Sequence, residues 1–162
     1  MSTILRRGAA AAAITASLAG LGALFGATSA DAAGGNVVQW RNQVTQACLS
    51  GLSTIHRVYG SPCNNPSNNI AYWSVHRWRD GTREFQVVND RFAPNGYCLD
   101  DSNEGLRTYP CNATPFQSWY LDRNRDGSTK LRNQATGRVV QDDAFAGPQP
   151  AKPSASPFQN WY

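Results

Sequence analysis

The chain is poor in the side chains that carry most catalytic and metal chemistry. It has two histidines, His56 and His76, one methionine, and neither a Cys-x-x-Cys nor a histidine cluster to accompany its four cysteines. A structural zinc site needs such closely spaced ligands, so no metal is expected. Nucleophile-elbow, phosphate-loop and zinc-protease spacings are absent as well. Asp100 and Asp101 are adjacent, and neighbours on a strand point to opposite faces, so they make a poor glycosidase pair. These absences argue against an enzyme and against a cofactor. Charged residues amount to only 16%, and the basic ones are two lysines and thirteen arginines, the arginines scattered from Arg6 to Arg138 without a run. That distribution argues against a nucleic-acid arm and a polybasic membrane patch. The densest stretch, His76 to Arg83, reads as a solvated strand edge and turn. Beyond residue 32 there is no convincing amphipathic helix.

What is present begins with a leader. Arg6 and Arg7 open the chain, Gly8 to Ala30 is an uncharged run rich in Ala, Leu and Gly, and Ala30-Asp31-Ala32 closes it. This is the grammar of a secretory signal peptide cleaved near Ala32, with export by the general secretory route. A permanent anchor is the rival, but the run is weakly hydrophobic. Residues 33 to 162 then form one domain with thirteen basic and ten acidic side chains, a formal charge of +3. No stable membrane insertion is expected of it. Its cysteines, Cys48, Cys63, Cys98 and Cys111, read in an exported protein as two disulfides. Three pairings are possible, and the similar separations of 15 and 13 residues favour Cys48 with Cys63 and Cys98 with Cys111. Loops of that size each contribute about 3 kcal/mol in the chain-entropy view.

An internal repeat organises the domain. Phe116-Gln117-Ser118-Trp119-Tyr120 returns as Phe158-Gln159-Asn160-Trp161-Tyr162, and Arg41-Asn42-Gln43-Val44-Thr45 as Arg132-Asn133-Gln134-Ala135-Thr136. Tyr72-Trp73 is a weaker third match to the first of these. Three repeats of about 42 residues follow, at roughly 36 to 80, 84 to 126 and 129 to 162. Short β-branched and aromatic runs alternate with turn signals such as Asp80-Gly81-Thr82, Pro94-Asn95-Gly96 and Arg125-Asp126-Gly127-Ser128. Units of this size cannot bury an apolar face alone, so the expectation is an all-β fold in which three copies share one core. A propeller normally has four or more blades.

Gln117-x-Trp119 and Gln159-x-Trp161, with Gly96-Tyr97-Cys98-Leu99-Asp100 and Tyr109-Pro110-Cys111-Asn112, resemble the repeats of secreted bacterial ricin B-type β-trefoil lectins. The resemblance covers essentially all of residues 33 to 162. It implies a β-trefoil of twelve strands, four per repeat, with a disulfide inside a repeat. It makes Trp73, Trp119 and Trp161 core residues. Gln and Trp two apart are expected on one face of a strand.

Sugar recognition in a shallow site uses a carboxylate or amide for hydroxyl groups and an aromatic ring against the C–H face of the pyranose. By resemblance, Asp100 is the hydroxyl-binding carboxylate and Tyr109 the stacking ring. Arg107 is the polar residue on the same strand face, Gln117 either lies near the polar end of the site or fixes a loop, and Asn112 is a further sugar-binding candidate. Repeat 1 departs from the pattern, with Ser50 for the Asp, Ser61 for the ring, Ala71 for the Gln, and Tyr59 nearby. Repeat 3 has Gln141 for the Asp, Val139 for the first Cys, and Ala151 and Pro153 where the ring and second Cys belong. Its Ala146-Gly147-Pro148-Gln149-Pro150 segment reads as a Pro-rich loop, with Asp142 and Phe145 as possible substitutes. Repeat 2 itself carries Phe116 where an Asn commonly precedes the Gln. The expected function is therefore weak binding of a polysaccharide or glycan, mainly through repeat 2, with Arg107 favouring acidic or phosphorylated glycans. The alternative is a non-catalytic protein-binding trefoil, a toxin accessory subunit or inhibitor with decayed sugar sites. Tyr59, Tyr72, Trp73 and Trp78 beside Arg57, Arg77 and Arg79 have the composition of such an interface. Finally, Tyr162 directly follows the last Gln-x-Trp, where a closing strand would continue, so the expectation is either a short closure or a truncated chain, with a less stable barrel end and an edge open to pairing as the consequence.

Overall fold

The computed structural model describes residues 37–64, 69–88 and 96–162. The expected leader and the Pro94-Asn95 part of one expected turn lie outside the described residues. Eleven strands run through the described part: β1 (Val37–Val38), β2 (Cys48–Leu52), β3 (Arg57–Ser61), β4 (Trp73–Arg77), β5 (Arg83–Val87), β6 (Tyr97–Ser102), β7 (Gly105–Pro110), β8 (Trp119–Arg123), β9 (Thr129–Asn133), β10 (Val139–Asp143) and β11 (Gly147–Ala151). Every pairing is antiparallel. Repeat 1 supplies β1 to β4, repeat 2 β5 to β8, and repeat 3 β9 to β11. The place of a twelfth strand is taken by Trp161, which bridges both Thr129 and Asn42.

The same bridges close the barrel. Arg41 and Tyr162 exchange backbone hydrogen bonds of 2.9 Å in both directions, and Gln43 donates to the carbonyl of Asn160. Of the two expected alternatives, the structure has the short closure, and its edge is paired: residues 160–162 reach back to the start of repeat 1, a contact that sequence adjacency does not reveal. The Pro-rich segment of repeat 3 is likewise a strand, β11, paired to β10 from Val139–Ala151 to Asp143–Gly147. Its prolines alternate, which suits ladder positions whose N–H groups face away from the partner.

One core fills the threefold axis, built of Trp40, Leu49, Val58, Trp73, Phe85, Val87, Leu99, Trp119, Leu131, Val140 and Trp161. A buried indole keeps one polar atom that must be satisfied. All three repeats use the same solution: Trp73, Trp119 and Trp161 donate through Nε1 to the carbonyls of Leu49, Leu99 and Val140 at 2.9, 3.0 and 3.0 Å. Asparagine side chains tie successive repeats together. Asn133 Nδ2 donates to the Phe116 carbonyl at 2.7 Å and Asn42 Nδ2 to the Phe158 carbonyl at 2.8 Å. The Oδ1 of each accepts backbone N–H groups of the turn that follows it. The Arg-Asn-Gln repeat is therefore a clasp between repeats.

The disulfides join Cys48 to Cys63 and Cys98 to Cys111, each spanning one hairpin within a repeat. They fit an extracellular protein. Among the described residues no helix is long and apolar enough to cross a membrane; the helical elements there are three single 3-10 turns, Asn69–Ala71, Pro115–Gln117 and Pro157–Gln159.

Candidate functional site

The β6–β7 hairpin of repeat 2 sets Asp100 directly opposite Arg107 and Cys98 opposite Tyr109. Because side chains on one strand alternate, Asp100, Arg107 and Tyr109 share one face of this ribbon. Arg107 Nε donates to Asp100 Oδ1 at 3.1 Å. The Arg107 guanidinium carbon lies 4.4 Å from the centroid of the Tyr109 ring. Asp100 is 3% exposed whereas Tyr109 is 38% exposed. The carboxylate is thus the floor, the guanidinium the middle layer and the phenol ring the rim. His56, from the β2–β3 turn of repeat 1, adds a second ring, 6.3 Å from Tyr109 and 5.3 Å from Tyr97 between centroids. Nothing local in the sequence marks His56, since it arrives from a different repeat.

The other two site candidates of repeat 2 stand differently. Gln117 is fully buried, and its Oε1 accepts the Asn112 N–H at 2.8 Å while its Nε2 donates to the Pro110 carbonyl at 3.0 Å. It also sits in a 3-10 turn rather than on the strand of Trp119, so the expected shared strand face is not formed. Gln159 makes the same pair of bonds, to Ser154 N and the Lys152 carbonyl, in repeat 3. In both repeats the Gln braces the turn that carries the Trp into the core, because a buried amide must use its donor and acceptor at once. Asn112 is exposed, and its Oδ1 accepts the N–H and hydroxyl of Thr114, an Asx-type turn.

Asp101 serves a separate purpose from Asp100. It is 1% exposed and receives Nε and Nη2 of Arg138, from repeat 3, at 3.1 and 2.6 Å. The two carboxylates therefore have different arginines and do not flank a common point.

The equivalent positions elsewhere are occupied by bonds within the fold. Ser50 and Ser61 face each other at 2.6 Å between hydroxyl oxygens in repeat 1. Gln141 accepts from Gln159 Nε2 at 3.1 Å in repeat 3. Tyr59 lies beside these on β3, where burial pushes its phenol up from 10.0. Glu84 lies close to the sulfur atoms of Cys98 and Cys111, but these form a disulfide and offer no thiolate to a metal. Burial raises the Glu84 carboxyl, with His76 opposing the shift.

The architecture is similar to three solved structures. The designed threefold-symmetric protein ThreeFoil is 16% identical, over 78% of this chain and 96% of that one, at a TM-score of 0.65. The BEL β-trefoil is 12% identical, over 81% and 93%, at 0.66. The fold is a β-trefoil. SeviL, solved bound to an asialo-GM1 saccharide, is 11% identical over 79% of this chain and 95% of that one, at 0.62. Identities this low show the fold alone. No family model and no curated protein sequence matches the chain.

Proposed function

We propose that this chain is a secreted carbohydrate-binding β-trefoil of the ricin B-type lectin kind, made with a cleaved leader of residues 1 to 32 and a mature domain of residues 33 to 162. It takes a polysaccharide or glycoconjugate through repeat 2 and has no catalytic activity. The observation that carries this reading is the convergence of Asp100, Arg107 and Tyr109 on one face of the β6–β7 hairpin. A half-exposed ring suits the apolar face of a sugar, and a guanidinium beside it suits oxygen acceptors. Only Nε of Arg107 is bonded within the described residues, which leaves both Nη groups for a ligand. Carboxylate or phosphate on the glycan is the best match to those donors, since they pair bidentately with guanidinium. SeviL, of the same fold, was solved with a saccharide, which supports this reading.

The site is single and already partly satisfied by its own residues, so binding is weak. Repeats 1 and 3 lack the carboxylate, and the avidity that several sites provide, about 10²- to 10⁴-fold, is lost with them. The test is retention on immobilised polysaccharide: elution by free sugar and loss in Tyr109→Ala are expected. A partner protein that copurifies whether or not sugar is present, with Tyr109→Ala behaving as wild type, would replace the lectin by a protein-binding trefoil. Arg107→Ala is expected to abolish any preference for acidic over neutral glycans.

A further inference from the structure

The clasp that joins successive repeats brings a second carboxylate to a different fate. Aligning Arg41–Cys48 with Arg132–Val139 sets Thr45 against Thr136 and Ala47 against Arg138. Counting from Cys98 and Val139 sets Asp101 against Asp142. Where repeat 2 meets repeat 3, Asp101 accepts the Thr136 hydroxyl and both arms of the Arg138 guanidinium, which also donates to the Ser102 carbonyl at 2.6 Å. Where repeat 3 meets repeat 1, Asp142 accepts the hydroxyl of Thr45 in the same way. The arginine, however, is replaced by Ala47. Asp142 is 2% exposed, and among the described residues it has no ion pair.

The missing side chain leaves space. A cleft of about 460 Å³ opens at this junction, lined by Thr45, Ala47, Tyr59, Gly60, Asp142 and Phe145, with Arg57 and Asp143 also on its wall. Gly60 keeps it open: a Cβ there would stand 3.1 Å from the Ala47 Cβ and 3.7 Å from Asp142 Oδ1. Phe145, at the tip of the β10–β11 hairpin, is fully exposed. The carboxylate of Asp143 is held ionised at the same tip by the backbone N–H groups of Phe145 and Ala146. Burial pushes the Asp142 carboxyl up; the Thr45 hydroxyl opposes that, the Asp143 carboxylate adds to it and the Asp143 backbone N–H opposes it. A buried carboxylate beside a second carboxylate and two aromatic rings is complementary to a planar cation.

We infer that the junction of repeats 3 and 1 is a receptor for a guanidinium group supplied from outside, specifically the arginine side chain of a protein partner, which enters between Tyr59 and Phe145 and completes on Asp142 the pairing that Arg138 makes with Asp101. Guanidinium is preferred to ammonium because the internal copy of the site shows a forked, two-oxygen contact, which a point-charge ammonium does not reproduce. The partner is a protein because the group that completes the internal copy of the site is an arginine side chain, and arginine set against aromatic rings is enriched at protein interfaces. This site shares no residue with the repeat 2 hairpin and does not depend on its reading.

The experiment is a titration of the full protein with N-acetyl-arginine amide, followed by the backbone amide resonances of Thr45, Asp142 and Phe145. Saturable shifts in the millimolar range are expected for a lone side-chain mimic, weakened at least about tenfold in Asp142→Asn and in Ala47→Arg. Ala47→Arg fills the cleft with an internal guanidinium, so it keeps the test decisive if Asp142→Asn folds poorly. The inference is overturned by unchanged resonances, by equal shifts in Ala47→Arg, or by N-acetyl-lysine amide or glucosamine binding as tightly as the arginine compound.

Discussion

Two junctions in this molecule are built from the same parts and finished differently. Between repeats 2 and 3, a buried aspartate is closed by a threonine hydroxyl and an arginine fork; between repeats 3 and 1, the same aspartate and threonine face an alanine and an open cleft. The trefoil core is indifferent to this choice, because its tryptophan-to-carbonyl bonds are the same in all three repeats. Divergence at the junctions therefore alters surface chemistry while the bonding of the core is kept.

The comparison breaks most sharply at Arg138. Arg138→Ala leaves Asp101 buried without its cation, and a loss of about 2–3 kcal/mol is expected, at or just below the range of about 3–5 kcal/mol for a fully buried pair because Arg138 is one-third exposed. The urea unfolding midpoint measures it. The converse change, Ala47→Arg, makes the two junctions alike and is expected to gain about 1 kcal/mol in the same assay. A loss of stability in that variant would mean that the cleft cannot admit a guanidinium.

The smallest effect is a pH dependence. Asp142 is raised from its ordinary value of 3.8, so the folded chain binds that proton more tightly than the unfolded chain does. Its stabilising contribution is complete below the unfolded value and is lost as pH rises through the folded one. Asp142→Asn removes the ionisation, so the variant is expected to gain on the wild type as pH rises from 4 to 7. Parallel stability–pH curves for the two proteins would contradict this.

Much of the fold was legible because its repeat is written in large residues. Phe-Gln-x-Trp marks the strand entering the core, and two cysteine pairs at similar separations mark two hairpins, which β2–β3 and β6–β7 confirm. Closure was not legible, since Tyr162 pairs with Arg41 across the whole domain. For Gln117 the sequence offers both loop-fixing and ligand contact, and spacing alone does not distinguish a residue on a strand from one in the 3-10 turn before it. In the site, Asp100, Arg107 and Tyr109 come from one hairpin, where strand alternation predicts a shared face. His56 and the Asp142 cleft depend on contacts between repeats. The alignment that sets Ala47 against Arg138 is present in the sequence, but which carboxylate faces it emerges only in three dimensions.

Sugar binding by repeat 2 is proposed from the shared face of Asp100, Arg107 and Tyr109. A glycan and polysaccharide binding screen of the purified protein beside Asp100→Ala tests it most directly, with the folded state of both confirmed by the near-ultraviolet signal of the buried tryptophans. Selective binding to a defined glycan that disappears in Asp100→Ala is expected. Absence of binding by the folded wild type, or binding that survives Asp100→Ala, would contradict it.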